Sequence, residues 1–252
     1  MKMLITGGGF IGRAMKREYP KLDITIMSRT HRDGKWIKGE VTGFRFPDET
    51  FTHIIHAPLF MPPFCKYEPD GFLRVQEYAR HCGAKLLYVS SGAATNPQDE
   101  YGEFKAKTEV HAAYDFIVRP YAFVGPDLQT DAHYAIMNFI RDAMRDNKIL
   151  VKGDGTNIRS WQWQGDMARC FLTVLESGER GKPYDIGSFE EMSVKKVADL
   201  IAEMTDSVVT VEGNKYGNPK YVPRYENMCK AALPYVPLRE SIRKTIECLK
   251  NK

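Results

Sequence analysis

The sequence predicts an α/β chain built on a doubly wound parallel sheet, with a smaller α/β region at its C-terminal end. Three observations lead there. Short apolar runs alternate with helix-period segments through the first half. A glycine-rich turn follows the first apolar run directly, and the pattern changes after Pro120 with no intervening linker.

Taken in order, the expected strands are Lys2–Ile5, Ile24–Met27, Thr42–Phe46, His53–His56, Lys85–Val89 and Phe116–Val118. The expected helices between them are Ile11–Tyr19, Phe72–His81 and Tyr101–Ala113. The link from the second strand to the fourth shows no helical pattern, which trims one crossover. Beyond Pro120 the pattern gives a helix at Tyr134–Arg145, a strand at Arg159–Trp163 and a helix at Met167–Glu176. A strand at Tyr184–Ile186 and a helix at Val194–Met204 follow. Pro219, Pro223, Pro234 and Pro237 mark an irregular stretch before a last helix at Leu238–Leu249. The expected division is residues 1–120 and 121–252, with part of 165–187 returning to the first sheet.

Composition narrows the class. With 252 residues, 43% hydrophobic and 12% aromatic, the chain can bury roughly 70–75% of its unfolded surface without a staple, and disorder is excluded. No run of about 18 apolar residues offers a membrane span, and the apolar start is too short for a signal peptide. Lys and Arg total 36 against 32 Asp and Glu, a mild balance that points to no nucleic-acid partner. Cys65, Cys82, Cys170, Cys229 and Cys248 are scattered without a C-x-x-C pair. They suit reduced thiols in a cytoplasmic protein, with no metal site.

The segment Thr6-Gly-Gly-Gly-Phe-Ile-Gly12 places G-x-G-x-x-G (Gly7, Gly9, Gly12) after a strand and into a helix. Gly7 serves the tight turn, Gly9 lets the backbone approach a pyrophosphate, and Gly12 lets helix and strand pack closely. The chemistry is dinucleotide binding; the competing reading is a purely structural turn. The second strand ends in Ser28-Arg29, with Arg32 following, where an NAD enzyme usually carries a carboxylate. A guanidinium suits a 2′-phosphate, which favours NADP over NAD, against the alternative of solvated loop charges. Ala57, after the fourth strand, is assigned to the same cofactor.

Tyr101 and Lys105 stand four apart at a helix start and share one face. The spacing alone is weak, since Tyr216 and Lys220 repeat it, but Pro219 argues against a regular helix there. The Tyr101 pair also follows the strand ending in Ser90-Ser91, and strand C-terminal ends are where such sheets bind ligands. Hydride transfer to a carbonyl requires a proton donor. Bringing a tyrosine from pKa 10 to about 7 takes roughly 4 kcal/mol of anion stabilisation, which Lys105 is expected to supply. Ser91 is expected to polarise the substrate oxygen. The bland alternative is a surface tyrosine beside an i,i+4 lysine.

Together these residues resemble the extended short-chain dehydrogenase/reductase family, its nucleotide-sugar epimerase and dehydratase group. The motifs are TGGGFIG (Thr6–Gly12), YVSSGA (Tyr88–Ala93), YGEFKAKTE (Tyr101–Glu109), RPYAFVGP (Arg119–Pro126), GDGTNIRSWQWQGDMA (Gly153–Ala168) and YDIGS (Tyr184–Ser188). The resemblance implies a dinucleotide-binding Rossmann domain over 1–120, a mainly substrate-binding region over 121–252, and often a homodimer. It implies catalytic roles for Ser91, Tyr101 and Lys105, and a pyrophosphate loop of Gly7, Gly9, Phe10, Ile11 and Gly12. Arg159 matches the arginine that grips the nucleotide-sugar diphosphate, its alternative being a structural ion pair.

The chain also departs from that pattern. Its glycine loop is one residue shorter, and only ten positions separate Ser91 from Tyr101. Ala122 stands where relatives carry a phosphate-contacting Asn. Gly92-Ala93 replace the Asp-Glu pair of dehydratases, which argues against 4,6-dehydration. His53 and His56, three apart on a strand, point to opposite faces and do not share a metal. Trp161 and Trp163 read as core first and pocket lining second. Met61–Phe64 reads as a loop over the cofactor mouth or a plain linker.

The expected function is therefore an NADP-preferring oxidoreductase that reduces a keto group on a nucleotide-linked 4-keto-6-deoxy sugar. A nucleotide-sugar 4-epimerase with retained NAD and a non-catalytic NADP-binding regulator are the alternatives.

Overall fold

The structure is a computed structural model, and it describes residues 1–7, 9–29, 35–39, 43, 45–57, 61–128, 134–214 and 220–251. In chain order the first elements are β1 (Lys2–Thr6), α1 (Phe10–Glu18), β2 (Asp23–Ser28), β3 (Trp36–Lys38) and β4 (His53–His56). Next come α2 (Glu68–Cys82), β5 (Lys85–Val89), α3 (Glu100–His111), β6 (Phe116–Pro120) and β7 (Ala122–Val124). The remainder is α4 (Ala135–Asp146), β8 (Lys148–Lys152), β9 (Ile158–Trp163), α5 (Gln164–Ser177), β10 (Pro183–Ile186), β11 (Glu191–Ser193), α6 (Val194–Thr205), β12 (Val208–Glu212), β13 (Lys220–Tyr221) and α7 (Leu238–Lys250).

Seven strands form one sheet in the order β10-β6-β5-β4-β1-β2-β3, every neighbouring pair parallel. Side chains alternate between its faces as the strand period requires. Met3, Ile5, Ile26, Ile55, Leu87 and Val89 enter the larger core, which also holds residues of α1 and α5. Leu4, Met27, Ile54, Leu86 and Tyr88 enter the other, which Phe72, Val75, Tyr78 and Ala79 of α2 close. Strands covered on both faces read as continuous apolar runs.

The third strand forms at Trp36–Lys38 and not over Thr42–Phe46. Thr42 and Phe44 lie outside the described residues, and Arg45 and Phe46 adopt no regular structure. Ile37 packs on the smaller core and Trp36 on the larger, so one apolar contact on each face holds this edge strand.

After β6 the chain leaves the sheet and builds a second one, β11-β9-β13 with β7 also on β9, beside a parallel pair β8-β12. It then returns: α5 covers the first sheet and β10 pairs with β6 at its edge. Asp127, beyond β7, ties the two parts together. It receives Arg17 of α1 through two bonds of 2.7 and 2.9 Å, its carbonyl accepts from Arg13, and Gln164 of α5 donates to its carboxylate at 2.6 Å. No described helix is long and apolar enough to cross a membrane.

Candidate active site

The parallel register brings the strand ends level. Thr6 stands opposite Met27 and His56, His56 opposite Tyr88, and Val89 opposite Val118. The residues that follow these positions, Gly7, Ser28–Arg29, Ala57 and Ser90–Ser91, therefore share one edge.

At that edge Gly7 takes φ 74° and its N–H donates to the Met27 carbonyl at 3.0 Å, a left-handed turn that favours glycine. A Cβ on Gly12 would lie 2.8 Å from Ile26 Cδ1, so α1 leans closely on β2. Gly9 caps α1 without a side-chain bond, no acid occupies the first turn, and its missing Cβ faces open space. Orphan amides at a helix start without a carboxylate suit an anionic phosphate. Phe10 and Ile11 pack half-buried on the larger core. Ser28 ends β2, its carbonyl accepting from Gly39, and Arg29 beside it is exposed. Ala57 donates to the Thr6 carbonyl at 2.9 Å. Arg32 lies outside the described residues.

Ser91 ends the loop after β5 and caps the short 3-10 turn Gly92–Thr95, its Oγ accepting from Ala93 N–H at 3.2 Å. Asp99 caps α3 through the Gly102 N–H at 2.8 Å. A Cβ on Gly102 would come within 2.9 Å of the Ala93 carbonyl, so this glycine lets α3 start against the Ser91 turn. Tyr101 and Lys105 are thereby delivered to Ser91. The Lys105 ammonium sits 5.6 Å from the Tyr101 ring centre. Tyr221 of β13 also hydrogen-bonds Ser91, oxygen to oxygen at 3.1 Å. Arg159 of β9 lies over the Tyr221 ring at 5.8 Å. The structure thus brings Ser91, Tyr101, Lys105 and Arg159 into one cluster.

The electrostatics correct one expectation. Lys105 does not leave Tyr101 acidic: burial of the phenol pushes its pKa above the ordinary tyrosine value, against an opposing hydrogen bond with Ser91 and reinforced by the charge of Glu68. Burial is the main cause, and an unforeseen partner adds to it. Lys105, 1% exposed, ion-pairs with Glu68, 0% exposed, and also donates to the Val89 carbonyl at 3.0 Å. Tyr88 donates to the same Glu68 oxygen at 2.7 Å. His56 rests near Phe72 and Tyr88, its Nδ1 bonded to Thr6 Oγ1 at 2.7 Å. Its pKa falls well below the usual imidazole value through burial and the charge of Lys105. Sequence reasoning missed Glu68 and Tyr221; neither carries a local spacing signal. Trp161 is core and Trp163 half-buried. Among the described residues no three His, Cys, Asp or Glu side chains gather as a metal site.

A parallel sheet wrapped on both faces, with polar groups gathered at its strand ends, is a Rossmann-like fold. Residues 64–187 match the NAD dependent epimerase/dehydratase family. Among curated proteins, UDP-glucuronic acid decarboxylase 6 of Arabidopsis thaliana is 25% identical, across 96% of this chain and 87% of its own. The dTDP-D-glucose 4,6-dehydratase of Homo sapiens is 26% identical, across 91% and 69%. Among solved structures, MoeE5 in complex with UDP-glucuronic acid and NAD superposes over 100% of this chain and 99% of its own, with TM-score 0.84 at 19% identity. The family match spans just under half of the chain, and the two curated relatives, similar over nearly all of it, are named as nucleotide-sugar enzymes.

Proposed function

We propose that the chain reduces a keto group on a nucleotide-linked sugar, with NADPH as the preferred reductant and a 4-keto-6-deoxyhexose as the favoured substrate. The carrying observation is the convergence of the Ser91 and Tyr101 hydroxyls at a strand end, with the phenol held in its protonated form. Such a pair donates to a carbonyl oxygen as it becomes an alkoxide. Residues 1–120 would form the cofactor domain and 121–252 chiefly the substrate region, in which Arg159 faces the sugar diphosphate. The nucleotide-sugar names of the relatives support that class.

The residues fit a dinucleotide. Gly7, Gly9, Phe10, Ile11 and Gly12 would hold the pyrophosphate, Ser28 and Arg29 a 2′-phosphate, and Ala57 and Lys105 the nicotinamide end. The bound nicotinamide supplies the hydride. Tyr101 gives the proton from its Oη, while Ser91 orients the carbonyl and Lys105 fixes the helix that carries the phenol. Elimination is disfavoured at Gly92, because an added Cβ would meet the Tyr121 ring at 2.5 Å. No acid fits where dehydratases place one.

Mixing the protein with NADPH and a panel of nucleotide-linked keto-sugars should oxidise the cofactor, and Tyr101→Phe should lower kcat/KM about a hundred- to ten-thousand-fold. No turnover on any such sugar overturns the reading. A second reading, a 4-epimerase with retained NAD, is favoured by NAD in the MoeE5 complex. It would show interconversion of sugars with no net NADPH consumption.

A further inference from the structure

We infer that Glu68 is the positioning residue for the proton donor: its carboxylate, paired with Lys105 below Tyr101, cancels the lysine's charge and keeps the phenol a donor. This rests on the reductase reading and deepens it, since an enzyme that begins by oxidising its sugar needs the same phenol as a base.

The geometry is asymmetric. Glu68 Oε1 takes both the Lys105 ammonium and the Tyr88 hydroxyl, while Oε2 is buried with no hydrogen-bond partner among the described residues. A fully buried carboxylate with one bare oxygen is costly, and a buried ion pair is weak grounds for stability. The pair sits where its charge matters. The ammonium lies 5.3 Å from the Tyr88 ring centre and 5.6 Å from that of Tyr101. An unopposed cation at such a distance makes a phenol more acidic, and a carboxylate beside the cation reverses the effect.

Among the described residues the other groups facing Tyr101 do not supply that charge. Ser91 is neutral, and Cys65, Tyr88, Tyr134 and Tyr221 all have raised pKa values, Tyr221 up to about 12. His56, which acts on Lys105 from β4, is held neutral. Asp99 and Glu100 reach Cys65 from the exposed helix start. Burial is the main influence on the phenol, and the Glu68 carboxylate beside the Lys105 ammonium is the leading charge acting on it.

The test is ionisation of Tyr101 in protein without cofactor, read as tyrosinate absorbance minus that of a Tyr101→Phe counterpart, in wild type and Glu68→Gln. Glu68→Gln should ionise about one pH unit lower or more, and the alkaline limb of keto reduction should move acidward with it. A purely structural Glu68 would cost yield or kcat without moving either. Should Glu68→Gln fail to fold, Glu68→Asp keeps the charge but withdraws it by one methylene. A smaller shift of the same sign is then expected. Identical titration of wild type and the folded variant overturns the inference, even if wild type turns over. Absence of turnover overturns the reductase reading and leaves the titration to stand by itself.

Discussion

At the residue scale the site turns on what one hydroxyl can do. Ser91 Oγ has one proton and two lone pairs. It accepts from Ala93 N–H and shares a hydrogen bond with Tyr221. If Tyr221 donates, both Ser91 lone pairs are filled and its proton is held toward the Tyr101 oxygen, from which a substrate oxygen would take it over. Replacing Tyr221 with Phe removes the donor and leaves the ring. The expected result is a fall in kcat of about fivefold, the worth of roughly 1 kcal/mol for one net hydrogen bond, with KM for the cofactor unchanged. Arg29 gives a second prediction. Arg29→Ala should weaken NADPH binding about tenfold or more, from the roughly 1.5–3 kcal/mol of a hydrogen bond to a charged group, and leave NADH binding nearly unaltered. Equal losses for both cofactors in a direct binding titration would remove the 2′-phosphate role. Ser91, Tyr101 and Lys105 were legible because their spacing is local and follows a recognisable strand. Glu68 and Tyr221 were not: they reach the site across 37 and 130 residues, and a single glutamate or tyrosine has no pattern around it.

At the element scale α3 matters most, since it carries both Tyr101 and Lys105. It is fastened at its start by Asp99 and further along by Glu109. The Arg119 guanidinium of β6 donates to both Glu109 oxygens, at 2.9 and 2.5 Å, and Ser90 adds a third bond. Side chains of this pair are 15% and 10% exposed, so removing one partner strands a largely buried charge. Arg119→Met should cost about 3 kcal/mol or more in chemical unfolding, whereas Asp99→Ala should cost about 1 kcal/mol, the usual value of a lost cap. If Arg119→Met unfolds at the wild-type midpoint, the clamp carries no weight. The central strands were legible for a simple reason: buried on both faces, β1, β2, β4 and β5 are short aliphatic blocks. The edges were not. β3 is three residues with one apolar anchor on each face, and β7, β11 and β13 owe their pairing to β9, which only tertiary proximity supplies. β8 did carry a signal, Ile149 and Val151 buried between exposed neighbours, but its partner β12 lies beyond three strands and two helices.

At the scale of the whole molecule, the smaller core is closed over a titratable group, which makes stability depend on pH. His56 is fully buried, bonded through Nδ1 to Thr6, with Nε2 lacking a partner among the described residues. Burial and the neighbouring Lys105 charge hold its pKa well below 6.5 in the folded chain, whereas an unfolded histidine titrates at about 6.5. Below that point the unfolded chain binds a proton the folded chain refuses, so the native state loses ground as the solution is acidified. His53 is shifted the same way, through desolvation first, and adds to the slope. Asp115, Asp166 and Asp185 are shifted upward by burial. They act with the opposite sign, because the folded chain is then the better proton binder at acid pH. Absolute stability curves mix these contributions, and a comparison of two proteins separates them. His56→Asn keeps a polar group of similar reach and removes the titration. Urea unfolding at about pH 7.5 and about pH 5.5 should show wild type losing stability relative to His56→Asn on acidification. Parallel curves for the two proteins would mean that the imidazole accepts its proton without opening the core.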